Sequence, residues 1–87
     1  MKTIKYVVIE EPTLIGEAMY VFPDYVQHKD FVYDMDAEDK VVSAGFLYFS
    51  VDDGEIKVEA YSKSVSLGVE SRDYDSRIAQ RMFVDDL

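Results

Sequence analysis

The densest run of groups able to hold an anion is Tyr61-Ser62-Lys63-Ser64-Val65-Ser66-Leu67-Gly68-Val69-Glu70-Ser71-Arg72, which ends where a helix is predicted to begin. Free backbone N–H groups and the helix dipole at such a start favour negative charge. Ser64, Ser66, Gly68, Ser71 and Arg72 therefore form a candidate site for phosphate or carboxylate, with His28 as the one imidazole available as a base. No Gly-x-x-x-x-Gly-Lys and no Gly-x-Ser-x-Gly surrounds these serines, so no phosphate-loop or nucleophile-elbow geometry is implied. A plainer use also fits: an edge strand of alternating Ser62, Ser64 and Ser66, a turn at Gly68 and an N-cap at Ser71. Caps are far commoner than sites, and the structural use is the expected one.

Any Ser-His-Asp mechanism would have to pass through His28. Its spacing with Tyr25, Val32 and Met35 puts it on the apolar stripe of a predicted helix, which marks a packed, hydrogen-bonded histidine. Asp34-Met35-Asp36-Ala37-Glu38-Asp39 has the look of a calcium loop, but Asp39 stands where that loop needs glycine and Gly45 where it needs a bidentate glutamate. One histidine without cysteine makes a zinc site improbable. The residues predict no catalytic set, no metal and no cofactor.

Eighteen acidic and nine basic side chains give a net charge of −9, which repels phosphate backbones and anionic lipid. Direct nucleic-acid binding is disfavoured. Asp30, Asp34, Asp36, Glu38 and Asp39 cluster without an intervening Lys or Arg, whereas Arg72, Arg77 and Arg81 gather near the C-terminus. The acids read as a solubilising surface, with a basic partner or imitation of DNA as functional alternatives; imitation would require residues 30–39 and 52–59 to share a face. With 87 residues, 48% of them hydrophobic, the chain is expected to fold as a single domain over 1–87. The absence of cysteine excludes disulfides. No apolar run has the length of a membrane span, and the N-terminus lacks a signal-peptide pattern, so the expected location is cytoplasmic.

The elements that would position these groups read β-β-α-β-β-α. Lys2–Ile9 is β-branched and aromatic, and Glu10-Glu11-Pro12-Thr13 ends it in a turn. Leu14–Phe22 reads as a second strand running into Pro23. Asp24 with Gln27 resembles a capping box ahead of the first helix. Lys40–Asp52 and Glu55–Tyr61 flank Asp53-Gly54, the strongest hairpin signal in the chain. Its two-residue loop predicts Val51 opposite Ile56, Phe49 opposite Val58 and Leu47 opposite Ala60 on a core-facing side. Tyr74, Ile78, Met82 and Phe83 recur at helical spacing in a last helix, with Asp73 and Arg77 as an i,i+4 pair and Ser71 or Asp73 as cap. The predicted fold is α+β: a small antiparallel sheet of about four strands with two helices on one face.

Val41-Val42-Ser43-Ala44-Gly45-Phe46, with Ser64-Val65-Ser66-Leu67-Gly68 and Ser71-Arg72 further on, resembles a group of small uncharacterised bacterial and prophage-type proteins. The resemblance covers the last half of the chain. It implies no activity, only that the serine segment and Gly45 belong to one structural or binding feature.

Strict alternation along the hairpin sends Phe46, Tyr48 and Tyr61 away from the core face. With both helices on the other side, these aromatics would form an open patch suited to a protein partner or to a homodimer, unless a loop such as Ser62–Gly68 covers it. The functional expectation is a small acidic protein-binding or regulatory module without catalytic activity; the alternative is a small-anion binder or hydrolase built on Ser62–Arg72 with His28.

Overall fold

The computed structural model describes residues 3–11 and 16–85. It is an α+β fold built on one four-stranded antiparallel sheet. Strand β1 spans Thr3–Glu10, β2 Glu17–Phe22, helix α1 His28–Asp34, β3 Val41–Asp52 and β4 Glu55–Tyr61. A two-residue pair, β5 (Lys63–Ser64) and β6 (Val69–Glu70), precedes helix α2, Asp73–Gln80, which continues as a π-helical turn over Arg81–Asp85. The strand order is β2-β1-β3-β4, so β1 and β3 are interior and β2 and β4 are edges. The predicted start of the second strand, residues 14 and 15, lies outside the described residues.

The hairpin forms in the predicted register, with Val51 opposite Ile56 and Phe46 opposite Tyr61. Asp53 and Gly54 both have positive φ, +53° and +78°, as a type I′ turn requires. The like-charged pair Asp52 and Glu55 is relieved by Lys57, whose ammonium lies 3.2 Å from the Asp52 carboxylate. Leu47 and Val58 enter the core as expected, but Val51 and Ile56 are 67% and 48% exposed because the hairpin tip projects past the helix cover.

The layering differs from the expected one. Tyr6, Val8, Met19, Leu47 and Val58 pack with Ala79, Ile78, Met82 and Phe83 of the C-terminal helical segment. Val7, Ile9, Phe22 and Ala44 pack instead with Phe31 and Val32 of α1 and with Met35 and Ala37 just beyond it. Neighbouring residues of one strand point to opposite faces, so the helices lie on opposite sides of the sheet rather than together. The physical reason is that Tyr6-Val7-Val8-Ile9 is an unbroken buried run, which needs cover above and below. The face carrying Phe46, Tyr48 and Tyr61 is consequently only partly open: His28 of α1 packs on Phe46, and Leu67 and Val69 of the β5–β6 segment join the cluster on this side, while Tyr48 and Tyr61 stay exposed.

Helix boundaries shift as well. Pro23 to Val26 makes a turn closed by the Val26 N–H on the Pro23 carbonyl, so Gln27, not Asp24, precedes α1. Arg72 is the N-cap of α2, displacing Ser71 and Asp73 from that role, and Tyr74 is exposed rather than part of the core stripe.

Gly45 is the tightest backbone position. A Cβ there would stand 2.5 Å from the Tyr61 carbonyl oxygen and 3.3 Å from both the Ser71 Cβ and the Tyr6 ring. The serine segment thus reaches the sheet at Gly45. We expect Gly45→Ala to destabilise the domain by about 2 kcal/mol or more, because its closest neighbour is backbone that cannot rotate aside; chemical denaturation measures it, and an unchanged midpoint would refute the close approach.

Candidate functional site

Asp75 is fully buried on the first turn of α2, and its carboxylate accepts from three donors. Tyr6 Oη donates to Oδ2 at 2.6 Å, the Arg72 backbone N–H donates to Oδ2 at 3.0 Å, and Arg72 Nε donates to Oδ1 at 3.0 Å. The guanidinium then extends to Glu17 on β2, with Nη2 at 2.9 Å and Nη1 at 3.3 Å from its two carboxylate oxygens. A buried carboxylate is tolerable only when its lone pairs are filled by donors and a counter-charge, and this one is. Burial first, and the bond to Asp75 second, push the Tyr6 hydroxyl well above its ordinary range, so it remains a donor. The chain Tyr6–Asp75–Arg72–Glu17 fastens the start of α2 to the central strand and to the β2 edge.

Beside this anchor runs a groove of about 910 Å³ between β2 and the C-terminal helical segment. Arg72, Arg77 and Arg81, the whole arginine content of the chain, line it with Met19, Ile78 and Met82. Arg72 is committed to Asp75 and Glu17. Arg77 and Arg81 are exposed and form no ion pair among the described residues, so the anticipated Asp73–Arg77 pair is not made. Tyr74 lies over Arg72, with its ring centre 5.9 Å from the guanidinium carbon.

The two sheet edges are treated differently. On β4, Gln80 Oε1 accepts from the Val58 N–H at 2.8 Å, Gln80 Nε2 donates to the Ile56 carbonyl at 3.0 Å, and Ser76 Oγ accepts from the Ala60 N–H at 2.9 Å. Side chains of α2 thereby occupy the positions a further strand would use. On β2, no hydrogen bond among the described residues reaches the outward backbone groups of Glu17–Phe22. The open edge and the arginine groove adjoin.

The predicted anion-site residues separate. Ser64 is buried and its Oγ accepts from the Leu67 N–H at 3.2 Å, while the Gly68 N–H donates to the Ser64 carbonyl at 2.9 Å. Both serve the turn between β5 and β6. Ser71 Oγ donates to the Ser62 carbonyl at 2.7 Å, and Arg72 is consumed as described. Ser66 accepts from the Lys29 N–H and shares a small cavity with His28. His28 itself is buried between Phe22 and Phe46, edge-on to both, and its Nε2–H donates to the Gly45 carbonyl at 2.9 Å. Among the described residues its ring makes no hydrogen bond to a serine hydroxyl.

Phe46 is half-buried beneath His28, while Tyr48 and Tyr61 stay 43% and 42% exposed. Of the acids in 30–39 and 52–59, Asp34–Asp39 leads into the start of β3, Asp52–Glu55 sits at its far end, on the order of 35 Å away along twelve residues, and Glu59 stands between them, opposite Tyr48. Among the described residues no group of three His, Asp or Glu side chains could hold a metal ion, and no helix is long and apolar enough to cross a membrane. Comparison with known proteins finds no matching family model, curated protein or solved structure.

Sequence reasoning did not single out Tyr6, Asp75 or the groove. Clustering of the arginines was visible, but their partner wall on β2 lies more than fifty residues away in the chain.

Two outcomes check this anatomy. Tyr6→Phe leaves Asp75 a donor short, and we expect a loss of about 2 kcal/mol in urea unfolding. Burial, and secondarily Lys5, lower the His28 pKa despite the Gly45 bond, so the folded state binds the proton less readily than the unfolded one. The His28 contribution is therefore complete above about pH 6.5 and is lost as pH falls through the lower folded value. Against His28→Gln, which keeps a donor toward Gly45, the wild type should lose relative stability on acidification; parallel stability profiles would contradict this.

Proposed function

We propose that the protein is a non-catalytic binding module that takes up an extended, acidic segment of a protein partner along β2. The observation that carries this reading is that a strongly acidic chain places all of its arginines in one groove, next to the one sheet edge that its own side chains, among the described residues, leave uncapped. An added strand satisfies the outward backbone groups of β2, which gives affinity with little dependence on sequence. Carboxylates on alternate residues of the segment would meet Arg77 and Arg81, and small apolar residues would meet Met19, Ile78 and Met82, which gives selectivity. The surrounding negative charge discourages other acidic surfaces from settling anywhere else.

The dispersal of the acidic clusters to opposite ends of β3 weighs against a single basic partner, and the sealing of His28 weighs against hydrolysis. A homodimer through Phe46, Tyr48 and Tyr61 would have a smaller patch to use than the sequence suggests, since His28 of α1 packs on Phe46 and leaves Tyr48 and Tyr61 as its exposed members.

A blocked peptide alternating Glu and Val tests the reading by fluorescence anisotropy and by amide NMR. The wild type should bind it with shifts along Glu17–Phe22, and Arg77→Glu with Arg81→Glu should weaken binding at least about tenfold. A Lys–Val peptide binding equally well, or shifts confined to the opposite face, would overturn the proposal.

A further inference from the structure

The other face of the sheet holds a cationic cavity with no role in the groove. Lys5 stands on the central strand, level with Phe22 on β2 and Phe46 on β3, where its neighbours are apolar. Its ammonium donates to the Val26 carbonyl at 2.8 Å and lies 5.9 Å from the centre of the Phe46 ring. No carboxylate among the described residues pairs with it, in a chain that has 18 to offer. An ammonium has three donors, and a half-buried one gains most from an anion that takes the remainder.

Lys5, His28, Ser62, Lys63 and Ser66 line one cavity of about 260 Å³, with Phe46 as an apolar wall. Three separate parts of the chain meet there: the central strand, the start of α1 and the β5 segment. Ser66 Oγ accepts the Lys29 N–H at 3.2 Å and lies 3.4 Å from Ser64 Oγ; with Ser64 as the donor of that pair, the Ser66 hydrogen is left for a ligand. Ser62 is held at φ +67°, a left-handed conformation that is uncommon for a serine and occurs where β4 leaves the sheet at this cavity. Backbone strain of this kind persists where the surroundings enforce it.

We propose that this cavity binds a small doubly charged oxyanion, phosphate itself or the phosphate of a monoester. Lys5 and Lys63 supply the positive charge, the hydroxyls of Ser62 and Ser66 donate to the oxygens, and Phe46 accommodates the organic part of a monoester. His28, whose Nε2–H is already given to Gly45, shapes the wall and transfers no proton.

Amide NMR titrations with inorganic phosphate and with phenyl phosphate, on the wild type, Lys63→Ala and Lys5→Met, test the site. Saturable shifts of Lys29, Lys63 and Ser66 in the millimolar range are expected. Tighter binding of phenyl phosphate would identify a monoester site, and equal binding a site for the free ion. Lys63→Ala should weaken either ligand about tenfold and Lys5→Met should remove binding. Because Lys63 is exposed, its variant decides the matter even if Lys5→Met does not fold. Absence of saturable shifts, shifts at Arg77 and Arg81 alone, or unchanged affinity in Lys63→Ala would overturn the proposal.

Discussion

Strand β1 buries four consecutive side chains, Tyr6, Val7, Val8 and Ile9, and an unbroken apolar run on a pleated strand demands cover on both faces. That demand sets the remaining architecture. Helix α1 and the β5–β6 segment cover Val7 and Ile9, and the C-terminal helical segment covers Tyr6 and Val8. Tyr6 is the one polar-tipped member of the run, and its hydroxyl reaches Asp75, so the same strand that organises the two cores also fixes the start of α2.

Each cover leaves part of its face unfilled, and both candidate sites arise there. On one side α2 spends Ser76 and Gln80 on the β4 edge, and Arg77 of α2 with Arg81 just beyond it lines a groove beside β2. On the other, α1 crosses near Phe22 and Phe46 and leaves a cavity around Lys5. In a small domain, helices sized to cover a sheet cannot cover all of it, and what stays uncovered is available for binding. Both proposed sites gather basic side chains in an acidic chain, a contrast that would steer anionic ligands toward them.

Much of the fold was legible in the chain. The Asp53-Gly54 turn dictated the hairpin and its register because a type I′ loop matches strand twist at that length. Period-2 and helical spacings located the strands and both helices, and the position of His28 on an apolar stripe marked it as structural. The non-alternating run at Tyr6–Ile9 also held the information that both faces are covered; pairing that run with helices on opposite sides would have placed α1 on the aromatic face of the hairpin.

By itself, then, the sequence determined the α+β class, the hairpin register and the charge, because each depends on composition or on neighbours within a few residues. Only the tertiary structure decided which groups come together: Asp75 with Tyr6, Arg72 with Glu17, and Lys5, Lys63 and Ser66 around one cavity. Residues 69 and 55 positions apart carry no local periodicity that pairs them. Buried charge is tolerated where compensating donors converge, and that convergence is a property of packed elements rather than of any one segment.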